Sequence, residues 1–419
     1  MTHEISLGPV SREKRVFILD LLRGFALLGI LMVNMPVFNS PFTVLVGEAR
    51  MWTDPANQTA HWIINFFFHG KFYTLFSILF GIGFWFFMRK AEEAGGSVIG
   101  IFRRRLLILF LIGALHVLFL WYGDILVIYA FFGFIMTWLR NKSNRTVIVW
   151  AIVFLLLPVI FTSLMVGAVN LAMSVPEAAA GMQEAMAEQE SLFAALTKTA
   201  ISTYQSGSFS EIVSVRLREY SYMWGGIITF YPLILSMFLL GIIAGRKGVF
   251  NSLEKNRGFF IKLLWISLPF AIGGNYLLAE YGQSASQIIP DTDLLLMIAG
   301  LSFGGPALTF IYISLTVFCI LNGYFSWIAG KIAGAGRMAL TNYLMQSVIC
   351  TTIFYSYGLG LYARVDYLQG IALTLAIYII QVAWSHYWLK YYRFGPFEWL
   401  WRSLTYLRLQ PMKRRLPGS

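Results

Sequence analysis

Apolar runs of bilayer-crossing length, about 20 residues each, recur along the whole of this sequence, and they leave few folds open. In hydrocarbon every backbone N–H and C=O must be paired within the protein, so only helices and closed barrels can span. The runs are continuous and do not alternate, which points to helices. Of 419 residues, 58% are hydrophobic and only 12% charged, against about 25% charged in an ordinary soluble domain. The chain reads as an all-α, polytopic helical membrane protein.

Ten spans can be drawn, roughly 17–38, 61–88, 104–122, 124–139, 146–170, 225–245, 259–279, 294–321, 337–360 and 367–389. Gly123-Asp124 alone separates the third from the fourth, as a tight hairpin or a broken helix. The spans group into an N-terminal bundle (17–170) and a C-terminal bundle (225–394), joined by a loop at 171–224, with tails at 1–16 and 395–419. The first run follows a basic segment, as a secretory signal does. It is too long for a signal and no small-residue cleavage pattern follows it, so it reads as a retained span.

Charge orients the drawing. With the N-terminus in the cytoplasm, twenty-five of the 32 Lys and Arg fall in cytoplasmic loops and tails. Outside stand Arg50, Lys198, Arg216, Arg218 and Arg364. The positive-inside rule then places both termini in the cytoplasm. The basic surplus is a signal of topology and of contact with anionic headgroups, and it does not point to nucleic acid.

The 171–224 loop is expected on the outer side. Ser174-Val175-Pro176 resembles a cap with proline in the first turn, and "MQEAMAEQESLFAALTKTAISTY" spaces Met182, Met186, Leu192 and Leu196 as an amphipathic helix does. It is either a lid or a solvated connector. The tail "FGPFEWLWRSLTYLRLQPMKRR" mixes Trp399, Trp401 and Tyr406 with Arg402, Arg408 and Lys413. That mixture suits an interfacial helix or a plug over the cytoplasmic mouth.

Polar residues inside the spans carry the functional signal, because charge in hydrocarbon is costly and rare. In "LDLLRGFALLGILMVN", Asp20 and Arg23 share a helix face. Either they anchor the span, or Asp20 holds Arg23 toward a phosphate or carboxylate, which the planar guanidinium grips in two places. Asn342, Gln346 and Cys350 form a polar stripe. Asn342 and Gln346 lie about 8 and 14 Å beyond Arg337, near the depth of Arg23. They form a cytoplasmic-side site or hold helices together.

Deeper, Lys71 lies about 27 Å from Arg89, and Asp124 about as far from Arg105, so the two are expected to pair. His116 lies about 17 Å in. It is either a packed core residue or the proton carrier, imidazole being the usual base near neutral pH. His61 and His69 rank behind it, and His386 reads as structural. Cys319 and Cys350 sit in apolar runs, against a disulfide framework or a thiolate metal site. No phosphate-cradling loop, dinucleotide fingerprint or H-E-x-x-H occurs, which argues against ATP-driven transport by this chain alone.

The stretches "LDLLRGFALLGILMVN", "KFYTLFSILFGIG", "GDILVIYA", "GRMALTNYLMQS" and "GPFEWLWRSLTY" resemble the YeiB family over nearly the full length. That family implies a multi-pass protein of the bacterial inner membrane with a C-terminal domain of unknown function. The opening D-x-x-R-G-x-A, here Asp20, Arg23, Gly24 and Ala26, is similar to that of transmembrane acyltransferases. These include the lysosomal heparan-glucosaminide acetyltransferase and the bacterial acyltransferase-3 enzymes. This likeness implies an acyl-CoA bound from the cytoplasm, a small-molecule, lipid or glycan acceptor on the other side, and a catalytic histidine. In the lysosomal enzyme that histidine falls near the start of the second span, the neighbourhood of His61, but the positions do not align residue by residue.

The expectation is therefore acyl transfer. Arg23 and Arg337 would hold the phosphates of acyl-CoA, with Asp20, Asn342 and Gln346 around them. His116, oriented by Asp124, would act as base, and Lys71 would stabilise a carbonyl oxygen. The alternative is a secondary transporter or proton-coupled permease using the same residues, which internal repeats would favour; none is visible. A lipid- or quinone-binding protein without turnover is a third possibility.

Overall fold

The computed structural model describes residues 12–46, 51–93, 98–224, 229–285 and 290–414. These are mostly helical, and their only β-type pairing is an isolated bridge between Tyr392 and Lys413. In chain order the helices are α1 (Arg12–Asn39), α2 (Phe42–Val46), α3 (Pro55–Phe67), α4 (Lys71–Glu93), α5 (Val98–Phe119), α6 (Leu126–Leu139), α7 (Asn144–Met173), α8 (Pro176–Ser206) and α9 (Phe209–Met223). They continue as α10 (Tyr231–Arg246), α11 (Arg257–Tyr281), α12 (Thr292–Ala299), α13 (Gly305–Leu321), α14 (Ser326–Arg337), α15 (Ala339–Phe354), α16 (Tyr367–Tyr391) and α17 (Pro396–Tyr406). A π-helical turn at Gly300–Gly304 joins α12 to α13.

Six stretches are long and apolar enough to cross a membrane: Phe17–Asn39, Pro55–Arg89, Asn144–Met173, Arg257–Tyr281, Thr292–Leu321 and Tyr367–Tyr391. Leu126–Leu139 and Tyr231–Arg246 are apolar but shorter. Leu164, Trp265, Ile266 and Ile379 are each about two-thirds exposed, a surface that hydrocarbon and not water would cover.

Two expected spans are divided. The 61–88 run bends at Gly70, whose φ of +88° suits a residue without Cβ, so α3 stops at Phe67 and α4 begins at Lys71. The 337–360 run begins only at Ala339, because Arg337 ends a separate helix, α14.

The two sequence halves interleave. α1 packs against α4, α14, α15 and α16, and α4 against α10, so Leu27, Phe84, Leu106, Phe238, Tyr343 and Tyr378 belong to one apolar core. Bare backbone sets the tightest crossing. A Cβ on Gly24 would stand 2.0 Å from the carbonyl oxygen of Ile332, and one on Gly336 1.8 Å from that of Asp20. Small residues let membrane helices approach this closely.

α17 closes the basic end of the bundle. Thr341 N and Oγ1 donate to the Glu398 carboxylate at 3.0 and 2.6 Å. Trp401 Nε1 donates to Arg105 O at 2.9 Å, and the Arg105 guanidinium lies 3.6 Å over the Trp401 ring.

At the opposite end, α8 starts at Pro176 as its sequence suggests, with Val175 and not Ser174 at the cap; the Ser174 hydroxyl turns back to Leu171 O. Its inward row runs through Met182, Met186 and Leu196 to the buried Ala200 and Tyr204; Leu192, expected on this row, is exposed, and Phe193 takes its place. Tyr204 donates to Glu219 of α9 at 2.6 Å, and Phe42 N donates to the same carboxylate at 2.9 Å.

Burial pushes the Glu219 carboxyl up from its ordinary 4.5 to about 7, against the smaller pull of these bonds and of Arg216. The folded state therefore favours neutral Glu219. Its stabilisation is fully present below about pH 4.5 and is lost as pH rises to about 7. Hydrogen exchange, corrected for intrinsic rates, should show α8 and α9 better protected at pH 5 than at pH 8. Glu219→Gln should remove the difference.

Candidate functional site

The last turn of α5 carries His116. The chain then turns through Trp121–Ile125 into α6, and Asp124 closes the first turn of α6 by accepting Val127 N at 2.8 Å. This brings the carboxylate back beside α5 at Gly113, where a Cβ would stand 2.9 Å from Asp124 Oδ1. Asp124 Oδ2 lies 2.9 Å from His116 Nδ1. The other ring nitrogen, Nε2, lies 2.8 Å from Ser347 Oγ of α15. All three side chains are buried. The Tyr343 and Trp121 rings wall the imidazole at 5.3 and 6.4 Å.

Carboxylate, imidazole and hydroxyl stand here in the order in which acyl-transfer enzymes with a serine nucleophile arrange them. Asp124 Oδ2 stands close to Nδ1 outside hydrogen-bond geometry, and Nε2 faces the Ser347 hydroxyl. Sequence reading found His116 and Asp124 but missed Ser347, the last letter of "GRMALTNYLMQS". The visible stripe was Asn342, Gln346 and Cys350; the neighbouring row, Tyr343, Ser347 and Thr351, is the one that brings a hydroxyl to α5.

Asn342 and Gln346 brace helices. Asn342 Nδ2 donates to Ala335 O at 3.0 Å and Ser385 Oγ at 2.9 Å. Gln346 Nε2 donates to Gln381 Oε1 at 2.9 Å, and Gln381 Nε2 donates to Asn342 O at 2.9 Å. The expected Lys71–Asp124 pair is not what the structure builds. The buried Lys71 ammonium donates to Asn65 O and His69 O, each at 2.6 Å, because the bend at Gly70 leaves the carbonyl end of α3 facing it. A cation there satisfies the negative end of the helix. At the end of α3, Asn65 links His61 with His69, just beyond the helix, through contacts of 3.4 and 3.1 Å.

At the basic end, Arg23 Nη1 donates to Asp20 Oδ1 at 2.7 Å, with the guanidinium partly exposed. Arg337 lines a cavity of about 720 Å³ with Arg393, Phe394, Pro411, Lys413 and Arg414. Four cations around one open volume suit a polyanion such as a nucleotide phosphate. Sequence reading placed Arg337 there and missed Arg393 and Arg414, which the 395–419 tail and its junction fold back to supply. Along α15, Ser347 lies about 12 Å beyond Ala339, the first residue of the helix that follows the break after Arg337.

An all-helical chain with apolar, bilayer-length helices on its outside and a buried Ser347–His116–Asp124 row inside is an integral membrane protein with a polar core. The family described as "Protein of unknown function (DUF418)" matches residues 244–408. Uncharacterized protein YxaH of Bacillus subtilis (strain 168) is 35% identical, covering 98% of this chain and 99% of that protein. A second relative, the uncharacterized 39.9 kDa protein in the amylase 3' region of Bacillus acidopullulyticus, is 30% identical, covering 97% of this chain and 98% of its own. Uncharacterized protein YeiB of Escherichia coli (strain K12) is 28% identical, covering 92% and 95%. The chain belongs to this YeiB/YxaH family of DUF418 proteins. No solved structure matches it.

Proposed function

We propose that this protein is an acyltransferase of the bacterial inner membrane, passing an acyl group from acyl-CoA at its basic, cytoplasmic end to an acceptor that reaches Ser347 from the outer side. The observation that carries the reading is the Ser347–His116–Asp124 row, with contacts of 2.8 and 2.9 Å. In this reading α5, α6, α10 and α15 add four crossings to the six long apolar stretches, and both termini are cytoplasmic. The basic loops support that orientation.

The chemistry is two-step. His116 Nε2 takes the Ser347 proton as Oγ attacks the thioester carbonyl, and the C–S bond breaks as the CoA sulfur leaves with that proton. An acceptor hydroxyl or amine then loses its proton to Nε2 and attacks the acyl-serine ester. Ser347 Oγ leaves and recovers the proton. Asp124 steadies the imidazolium in both steps. The rise of about 12 Å along α15 from Ala339, just past Arg337, to Ser347 is within the reach of an extended phosphopantetheine arm. Lys71, held by two carbonyls, is structural in this scheme. The bracing of Asn342 and Gln346 takes them out of a substrate path, which favours acyl transfer over the permease alternative.

Calorimetry with detergent-purified protein tests the donor. Acetyl-CoA should bind saturably, with CoA as comparison, and Arg337→Ala combined with Arg414→Ala should weaken it at least about tenfold without loss of folded protein. No saturation at millimolar acetyl-CoA would sink the reading for the commonest donor.

A further inference from the structure

At the far end of the bundle from the basic cavity, the core holds a guanidinium that the scheme above leaves idle. Arg216 of α9 is fully buried. Its Nη1 donates to Leu118 O at 2.8 Å, two residues beyond His116, while Nε and Nη2 have no partner. Glu219 does not take them, since its oxygens serve Tyr204 and Phe42.

The unpaired groups cluster. The Tyr355 ring lies 5.9 Å from the Arg216 guanidinium. The hydroxyls of Tyr355 and Tyr362 are buried without partners, as is Trp121 Nε1 beside His116. Tyr204 packs on both tyrosine rings, at 4.4 and 4.6 Å. Buried polar groups are nearly always paired, and an uncompensated buried cation is the costliest exception, because it loses its hydration outright. Every unpaired atom here can donate a hydrogen bond. A guanidinium with unpaired hydroxyl and indole donors in the same core cluster suits an oxyanion such as a phosphate. A narrow crevice of about 20 Å³, lined by Phe42, Val215, Glu219 and Tyr222 with the exposed Arg218, lies on the same helix as Arg216.

We propose that Arg216, Tyr355 and Tyr362 hold the phosphate group of the acceptor whose hydroxyl takes the acyl group from Ser347. The assignment rests on the acyl-transfer reading and names its acceptor class. The acceptor O–H bond breaks with the proton passing to His116 Nε2, the new ester C–O bond forms, and Ser347 Oγ leaves and takes the proton back.

The test uses the full-length protein and two kinds of anion. Inorganic phosphate and glycerol 3-phosphate are titrated calorimetrically. Phosphatidylglycerol is compared with phosphate-free diacylglycerol by native mass spectrometry. Wild type should bind at least one phosphate-bearing probe saturably. Arg216→Gln should weaken that binding at least about tenfold, and the volume-conserving pair Tyr355→Phe and Tyr362→Phe at least about threefold. Retention of the free probes alone marks a soluble acceptor, and retention of phosphatidylglycerol alone marks a lipid; either supports the site. If Arg216→Gln does not fold, the tyrosine pair decides. Equal affinity in wild type and the folded variants, or no binding to wild type, overturns the assignment. Acetylation of Ser347 by acetyl-CoA, read separately by intact mass, distinguishes the two ideas. Acetylation without anion binding overturns this site alone, and anion binding without acetylation leaves the anion site standing and overturns the acyl-serine step.

Discussion

Incubated with acetyl-CoA, wild type is expected to gain the mass of one acetyl group, and Ser347→Ala to gain none. Transfer to any acceptor should fall by about 10³-fold or more, as it does when one member of such a relay is removed. The substitution is mild for the fold. It deletes one oxygen from a fully buried position and leaves His116 Nε2 unpaired, a cost of about 1–3 kcal/mol. Loss of transfer with a melting temperature shifted by only a few degrees would separate chemistry from folding. His116→Gln should match Ser347→Ala. If Ser347→Ala keeps transfer within a few-fold while His116→Gln abolishes it, Ser347 merely steadies the ring, and His116 acts directly on the acceptor.

Gly336→Val is expected to prevent assembly. Its Cβ would lie 1.8 Å from the Asp20 carbonyl oxygen and 2.6 Å from Gly24 N, backbone atoms that no rotamer change can move aside. Such clashes belong to the class that costs more than about 4 kcal/mol, a large share of the about 5–15 kcal/mol available to a folded domain. Size-exclusion of a fluorescent fusion should show little monodisperse protein. Gly330, on the same helix, has open space around its Cβ position. Gly330→Ala should be neutral or stabilise by up to about 1 kcal/mol, and equal damage from both substitutions would refute the close-crossing argument.

The same crossing shows where the sequence was legible and where it was not. Hydropathy marked the long helices because burial in lipid leaves an unbroken signal. The Gly123-Asp124 break marked the α5–α6 turn, and Pro176 marked the start of α8. α14 escaped notice and read as a loop, since "SWIAGKIAGAGR" is glycine-rich and its stability comes from contact with α1, which no local pattern encodes. Asp20 and Arg23 were visible as charges in an apolar run, and their 2.7 Å pairing follows from helical spacing. Ser347 was invisible for the opposite reason: a serine in a membrane helix is ordinary until a histidine from elsewhere in the chain stands against it. Arg393 and Arg414 were legible as basic residues, but their convergence on Arg337 depends on how the chain folds back after α16.

α17 has a consequence for biosynthesis. It is translated after every helix that it closes over, and its anchors, Thr341 and Arg105, sit on helices made earlier. While the preceding helices enter the bilayer, the basic cavity lacks Lys413 and Arg414. A ribosome stalled before Pro396 would thus leave an inserted bundle with its mouth uncapped, and the four-cation cavity is complete only when synthesis has passed the tail.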